Sequence, residues 1–196
     1  MPKYWPILLA ILVAALALYA GLQTDGEDFE RWQIATRWTA RAGFPFFILA
    51  FVASSLVKLW PGETTRALLR NRKWWGLAFA SAHTLHLYAL IHFLGITPEP
   101  RSLVSLLPGF AIYVVIYSMV ATSWPWAYKA LGRIWKRLHK SGMYIVWGVF
   151  TLAYFGKAMD PELRPAGAIL LAIALAAFAL RIIAWRKGKV ATRAAA

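Results

Sequence analysis

The chain has 196 residues, of which 60% are hydrophobic, and its formal net charge is +14. This apolar composition is typical of integral membrane proteins and excludes an ordinary soluble domain of the same size. The sequence contains no cysteine, which excludes disulfides, cysteine-ligated iron–sulfur clusters and thiol nucleophiles.

Six segments are long and apolar enough to cross a bilayer, which takes about 20 mostly apolar residues. In chain order they lie near residues 5–22, 43–60, 74–95, 104–123, 141–157 and 166–185. The first follows Lys3 like a signal peptide, but no small-residue cleavage pattern follows it, so we expect a retained helix. The sequence therefore predicts an all-α membrane protein, a single domain formed by a six-transmembrane-helix bundle.

The charge distribution predicts the orientation of these spans. If both termini lie on one side, that side carries 16 of the 22 Lys and Arg residues, and the other side carries seven of the eight acids. Because basic residues accumulate in cytoplasmic loops, both termini are predicted to be cytoplasmic. Topology and anionic lipid headgroups account for the high charge, so we expect the lipid bilayer, and no nucleic acid, as partner.

Polar segments beside the spans also have interpretable patterns. In residues 124–140, apolar side chains recur at three- and four-residue steps between basic ones: Trp124, Tyr128, Leu131, Trp135 and Leu138. This pattern predicts one amphipathic helix at the inner membrane surface, with an interfacial anchor favoured over a functional role. Residues 25–44 predict a short outer surface helix whose acids either meet a periplasmic partner or are merely solvated. Residues 186–196 predict a disordered, basic cytoplasmic tail.

Three of the four histidines, His83, His86 and His92, lie in one predicted span. All eight acids lie outside the spans, which disfavours a proton-coupled transporter or a zinc site. On a helix His83 and His86 lie about 60° apart, whereas His92 lies about 180° from His83, facing another space or the outer interface. A single buried histidine often only bonds a carbonyl, but three on one helix favour haem b or a quinone.

Three segments carry a family resemblance. Residues 70–88, RNRKWWGLAFASAHTLHLY, resemble the third-helix signature of the ferric-reductase-like transmembrane family, with His86 at the position of its histidine. Residues 131–144, LGRIWKRLHKSGMY, resemble the entry to its fifth helix, and residues 38–56 resemble its second helix. Within the family, the chain most resembles the haem-binding membrane subunits of the bacterial periplasmic methionine sulfoxide reductase system.

The resemblance implies a b-type haem protein of the bacterial inner membrane. Electrons would pass from a quinol, a flavin or a partner protein to an acceptor outside. His86 would be an axial ligand in the outer half of the bilayer, and His139 would face a haem, flavin or quinone near the cytoplasmic surface. Arg70, Arg72 and Lys73 would form ion pairs with the propionates of a haem or with a flavin phosphate. Since no glycine-rich dinucleotide fingerprint is present, we expect an oxidoreductase subunit without its own NAD(P)H domain.

The sequence departs from the family in the fifth helix, where a second histidine is expected but residues 152–154 are Leu152, Ala153 and Tyr154. One alternative is a five-coordinate haem on His86. A second is an unusual second ligand, namely Tyr154, Met119 or Met159. A third is ligation by His83 or His92 with a counterpart from another subunit. The remaining alternative is a haem-free accessory or assembly subunit of a larger membrane complex.

Overall fold

The computed structural model describes residues 3–98 and 102–194. Within these residues there are eight helices and no strand, which confirms the all-α prediction. In chain order the helices are α1 (Trp5–Leu22), α2 (Asp28–Leu59), α3 (Glu63–Arg70), α4 (Arg72–Gly95), α5 (Leu103–Ala121), α6 (Pro125–Leu131), α7 (Arg133–Met159) and α8 (Arg164–Ala194).

Four of the helices, α1, α2, α4 and α8, are long and apolar enough to cross a membrane. A fifth span results if the bent pair Leu106–Ala121 and Pro125–Leu131 is counted as one, although its halves meet at 104°. Helix α7 is not among these spans, since Lys140 and Lys157 bracket a short apolar stretch. Four to five candidate spans indicate a multi-pass membrane protein that lies in a lipid bilayer.

Three helix boundaries differ from the predictions. The outer surface helix is not separate, because α2 begins at Asp28 and continues through Pro45 to Leu59. The predicted helix over residues 124–140 is instead two helices, interrupted at Gly132, where φ is 50° and ψ is −113°. The predicted disordered tail is helical as far as Ala194, because its Ala, Lys and Arg residues favour helix and it contains no proline; its last two residues lie outside the described part of the chain.

The chain divides into two compact units. Unit 1 comprises residues 1–50 and 71–110, and α1 packs along α4 within it. The rings of Trp5 and Trp75 meet edge to face at 5.2 Å. A Cβ atom on Gly21 would lie only 2.4 Å from Cα of Ala35, so glycine permits close approach of the α1 and α2 backbones, as small residues do in membrane helix pairs.

Unit 2 comprises residues 51–70 and 111–196, and its main contact is between α7 and α8. The rings of Trp147 and Phe178 stack at 4.4 Å, and the Trp147 indole donates a 2.9 Å hydrogen bond to the Ala174 carbonyl. Arg181 donates hydrogen bonds to the Phe51 carbonyl and the Tyr144 hydroxyl. A polar clamp thus joins α2, α7 and α8 within this unit.

Candidate functional site

The three histidines of α4 all contact α2, which runs antiparallel to α4 in unit 1. Residues that come later in α4 contact residues that come earlier in α2. The paired residues are Phe79 with Phe47, His83 with Gly43, His86 with Thr39, His92 with Trp32, and Phe93 with Phe29. One helix face therefore supplies a partner to each histidine.

His86 is oriented by Thr39. Its Nδ1 atom lies 3.2 Å from Oγ1 of Thr39, a residue with no solvent exposure. The same hydroxyl lies 2.8 Å from the Ala35 carbonyl oxygen and 3.1 Å from the Thr36 carbonyl oxygen, and it donates its only proton to these backbone acceptors. The hydroxyl therefore accepts from His86, which assigns the proton to Nδ1 and the lone pair to Nε2. This is how a ligating histidine is usually prepared, with one nitrogen bonded to the protein and the other presented as a base.

His83 is packed tightly against the α2 backbone. It is only 7% exposed, and its ring lies 4.3 Å from Phe79 and 5.4 Å from His86, measured between ring centroids. A Cβ atom on Gly43 would lie 2.4 Å from Nδ1 of His83. Gly43 thus makes room for the imidazole, and nothing as large as a porphyrin fits between α2 and α4 on the Nδ1 side.

His92 lies near the C-terminal end of α4 and is exposed. Its ring stacks on Trp32 of α2 with a centroid distance of 3.8 Å and an interplanar angle of 6°. Tyr88 meets both rings edge to face. Of the two predicted environments for His92, its exposure agrees with an interfacial one. Its contact with Trp32 also joins it to α2, the helix that His83 and His86 contact.

His139 lies in unit 2 and has the same kind of partner as His86. Its Nε2 atom is 2.9 Å from Oγ1 of Thr122, whose hydroxyl donates to the Ser118 carbonyl at 2.7 Å. The proton is therefore assigned to Nε2, and Nδ1 carries the lone pair. The Trp135 indole donates a 2.7 Å hydrogen bond to the Thr122 carbonyl and packs on His139 at 4.4 Å. Two side chains of α7 thus contact Thr122, the first residue after α5.

The three predicted anion-binding residues are not equivalent. Arg70 is exposed at the end of α3 in unit 2. Arg72, in unit 1, donates through Nε to the Ala50 carbonyl of α2 at 2.9 Å. The Nζ atom of Lys73 lies 5.2 Å from the centroid of the Trp74 ring, within cation–π range. Arg72 thus has a structural partner in addition to any anion it binds.

The candidate second haem ligands lie in unit 2. Tyr154 is buried against Phe150, and Met159 is exposed. Met119 is buried, with its sulfur so close to Gly142 that a Cβ atom there would lie 2.6 Å away. Leu152 and Ala153, where the family resemblance led us to expect a histidine, point outward on α7, with Leu152 73% exposed. Over residues 3–98 and 102–194, no group of three or more His, Asp or Glu side chains is placed to hold a metal ion.

Sequence reasoning missed the partners of the histidines, namely Thr39, Gly43 and Thr122. A signal for two of them was present, since Thr36, Thr39 and Gly43 recur at three- and four-residue spacing in α2. That spacing places small and polar residues on one face of an apolar helix, which is typical of a face that packs against another helix. No comparable pattern surrounds Thr122.

The described structure thus defines a multi-pass helical membrane protein with threonine-bonded histidines on two helices. Comparison with protein-family models, with curated proteins and with solved structures gives no match.

Proposed function

We propose that the chain is a six-span b-type haem protein of the bacterial inner membrane, with both termini in the cytoplasm, that passes electrons across the membrane. In this proposal α7 crosses as well, and the bent pair formed by α5 and α6 contributes one crossing. The alternation of basic and acidic segments supports this topology, since a different number of crossings would place basic segments on both sides.

The contact between Thr39 and His86 carries the proposal. It fixes the imidazole ring by a hydrogen bond at Nδ1 and presents Nε2 as the basic nitrogen, the atom through which histidine usually binds haem iron. Bound haem would supply one-electron redox chemistry. His86 would hold it, Thr39 would set the direction and basicity of His86, and the apolar neighbours on α4 would exclude water.

The other histidines fit a haem less well. Gly43 closes the Nδ1 side of His83, so His83 suits the wall of a site better than ligation there. His139 uses Nε2 for Thr122, so ligation through that nitrogen requires breaking the contact. The residues therefore fit a haem with one ligand from this chain, and we retain His139 and His83 as secondary candidates for cofactor contact.

The electron donor in this proposal is a quinol, a flavin or a partner protein, since the chain lacks a dinucleotide fingerprint. The acceptor is a membrane or periplasmic protein. Arg70, Arg72 and Lys73 are the basic residues nearest to the α4 entry and would pair the acidic groups of a cofactor by charge. The chain would then be one subunit of an oxidoreductase.

A second candidate function is a haem-free accessory or assembly subunit. The specific observation that favours it is the outward direction of Leu152 and Ala153 on α7, which leaves this helix without a histidine where the family uses one. In that case the contact between Thr39 and His86 joins two helices and does nothing more.

Visible spectra of the protein in mild detergent, oxidised and dithionite-reduced, together with haem quantitation, test the proposal. We expect a Soret band that shifts on reduction and near-stoichiometric haem. A high-spin spectrum would favour His86 with an open position, and a low-spin spectrum would require a second ligand. A colourless protein from haem-supplied cells would overturn the haem proposal in favour of the accessory subunit.

A further inference from the structure

The segment from Thr122 to Lys140, here called the basic elbow, combines a sharp bend with a concentrated charge. Helix α6 departs from the axis of Leu106–Ala121 by 104°. A helix nearly perpendicular to one that crosses a bilayer lies along the bilayer surface. The chain then turns again at Gly132, whose φ of 50° is in the left-handed region, before α7 begins at Arg133.

The bend is fixed from inside. Thr122 receives two hydrogen bonds from α7, one to its carbonyl from Trp135 and one to its hydroxyl from His139. The ring of Tyr128 on α6 meets Trp135 edge to face at 6.0 Å, and Ala127 is fully buried. The inner face of the basic elbow is therefore a packed contact that determines which side chains point outward.

The outward side chains are of two kinds. Five cations are exposed: Lys129, Arg133, Lys136, Arg137 and Lys140. Large apolar groups are exposed among them, with Trp126 at 68% and Ile134 at 64%. In water such apolar exposure is unfavourable, whereas at a membrane interface tryptophan sits at headgroup level and long cations reach the phosphates.

The charge of this surface is not neutralised by the protein nearby. The sequence has no Asp or Glu between Arg101 and Met159. None of the five cations forms an ion pair with any residue in the described part of the chain. A surface with this charge and apolar content is complementary to a lipid whose headgroup is an anionic phosphodiester attached to acyl chains.

We propose that the basic elbow is a docking surface for anionic phospholipid. The five cations bind headgroup phosphates, and Trp126 and Ile134 enter the boundary between headgroups and acyl chains. The contacts to Thr122 hold the bend, so that the cations and the apolar side chains face the same membrane surface. The inference goes beyond electron transfer and depends on the proposed function only in requiring that α5 cross the membrane. Haem content does not bear on it, so a colourless protein would leave it standing.

A single label tests the inference, because the chain has no cysteine to compete with an introduced one. Ala130 on α6 is exposed and small, so Ala130→Cys carries an environment-sensitive fluorophore without removing a proposed lipid contact. The full-length protein is placed in phosphatidylcholine nanodiscs doped with spin-labelled phosphatidylglycerol or, separately, spin-labelled phosphatidylcholine. Quenching by each lipid reports its local concentration at the basic elbow.

We expect the anionic lipid to be enriched about fivefold or more at the label, with the enrichment falling as salt rises. Lys136→Gln combined with Arg137→Gln should remove most of this preference. Arg186→Gln combined with Lys187→Gln is the matched control, since it removes two adjacent exposed cations elsewhere and should leave the preference unchanged.

Three results would overturn the inference. Equal quenching by both lipids would show that the surface has no preference for the anionic headgroup. Absence of quenching by either lipid would show that the basic elbow does not lie at the interface. An equal loss of preference in the control variant would show a diffuse effect of net charge and no local docking surface.

Discussion

Oγ1 of Thr39 lies 3.2 Å from Nδ1 of His86, although the two residues are 47 positions apart in the chain. Because the Thr39 hydroxyl donates to backbone carbonyls of α2, the contact orients the imidazole and favours the tautomer that carries its proton on Nδ1. A single hydroxyl on α2 thereby orients the imidazole of His86, the ligand that we propose on α4.

Replacement of Thr39 by Val should weaken haem binding about 10- to 100-fold, because His86 loses the acceptor that orients it. Thr39→Ser keeps the hydroxyl and should retain most of the affinity. Haem titration of the apoprotein, followed at the Soret band, measures the difference. Equal haem affinity in the unchanged protein and both variants would show that Thr39 does not contribute to haem binding.

His86→Ala should remove most of the bound haem, whereas His92→Ala should leave it, since His92 is exposed and stacked on Trp32. Haem quantitation per mole of purified protein checks both variants. The same haem content in the two would contradict the assignment of His86 as ligand.

Gly43→Ala should destabilise unit 1 by about 1 to 3 kcal/mol, because the new Cβ atom meets a buried imidazole that is packed on Phe79. Gly76→Ala is the control, since nothing lies within 4 Å of that position, and it should stabilise α4 by about 0.5 to 1 kcal/mol. Thermal unfolding in detergent measures both. The double variant Gly43→Ala/His83→Ala should recover part of the loss, and a loss that persists in full would locate the clash elsewhere.

Arg181→Ala should cost about 2 to 3 kcal/mol of stability, because the guanidinium bonds the Phe51 carbonyl and the Tyr144 hydroxyl and also packs over both rings. Tyr144→Phe removes only one acceptor and should cost about 1 kcal/mol. Arg186→Ala, at an exposed position of the same helix, should be close to neutral in thermal unfolding. A similar loss for Arg186→Ala would mean that charge on α8, and not the clamp, is what stabilises it.

Single-cysteine labelling with a membrane-impermeant reagent tests the six-span topology. Lys129→Cys should react only after the inner membrane is opened, whereas Glu162→Cys should react in cells with a permeabilised outer membrane and an intact inner one. The two sites flank α7, so labelling on the same side would show that α7 does not cross. Both positions are exposed, which makes reactivity a measure of sidedness.

The all-helical class and the multi-pass character of the protein were predictable from the sequence. Both follow from the length and apolar content of local segments, which are properties that each segment carries regardless of its neighbours. The sequence also predicted that His83 and His86 lie close together, since residues three positions apart on a helix share a face. Helix ends were predicted less well, because α2 and α8 continue through polar residues whose helical propensity is adequate once the helix has begun.

Which nitrogen of His86 and of His139 is hydrogen-bonded, and to which residue, became known from the tertiary structure alone. Thr39 and Thr122 reach their histidines from other helices, and Gly43 matters only because His83 lies against it. The break at Gly132 likewise depends on a backbone conformation that the surrounding amphipathic pattern conceals. Hydrophobic periodicity records which face of a helix is buried, whereas a hydrogen bond between helices depends on their register and distance, which local sequence does not encode.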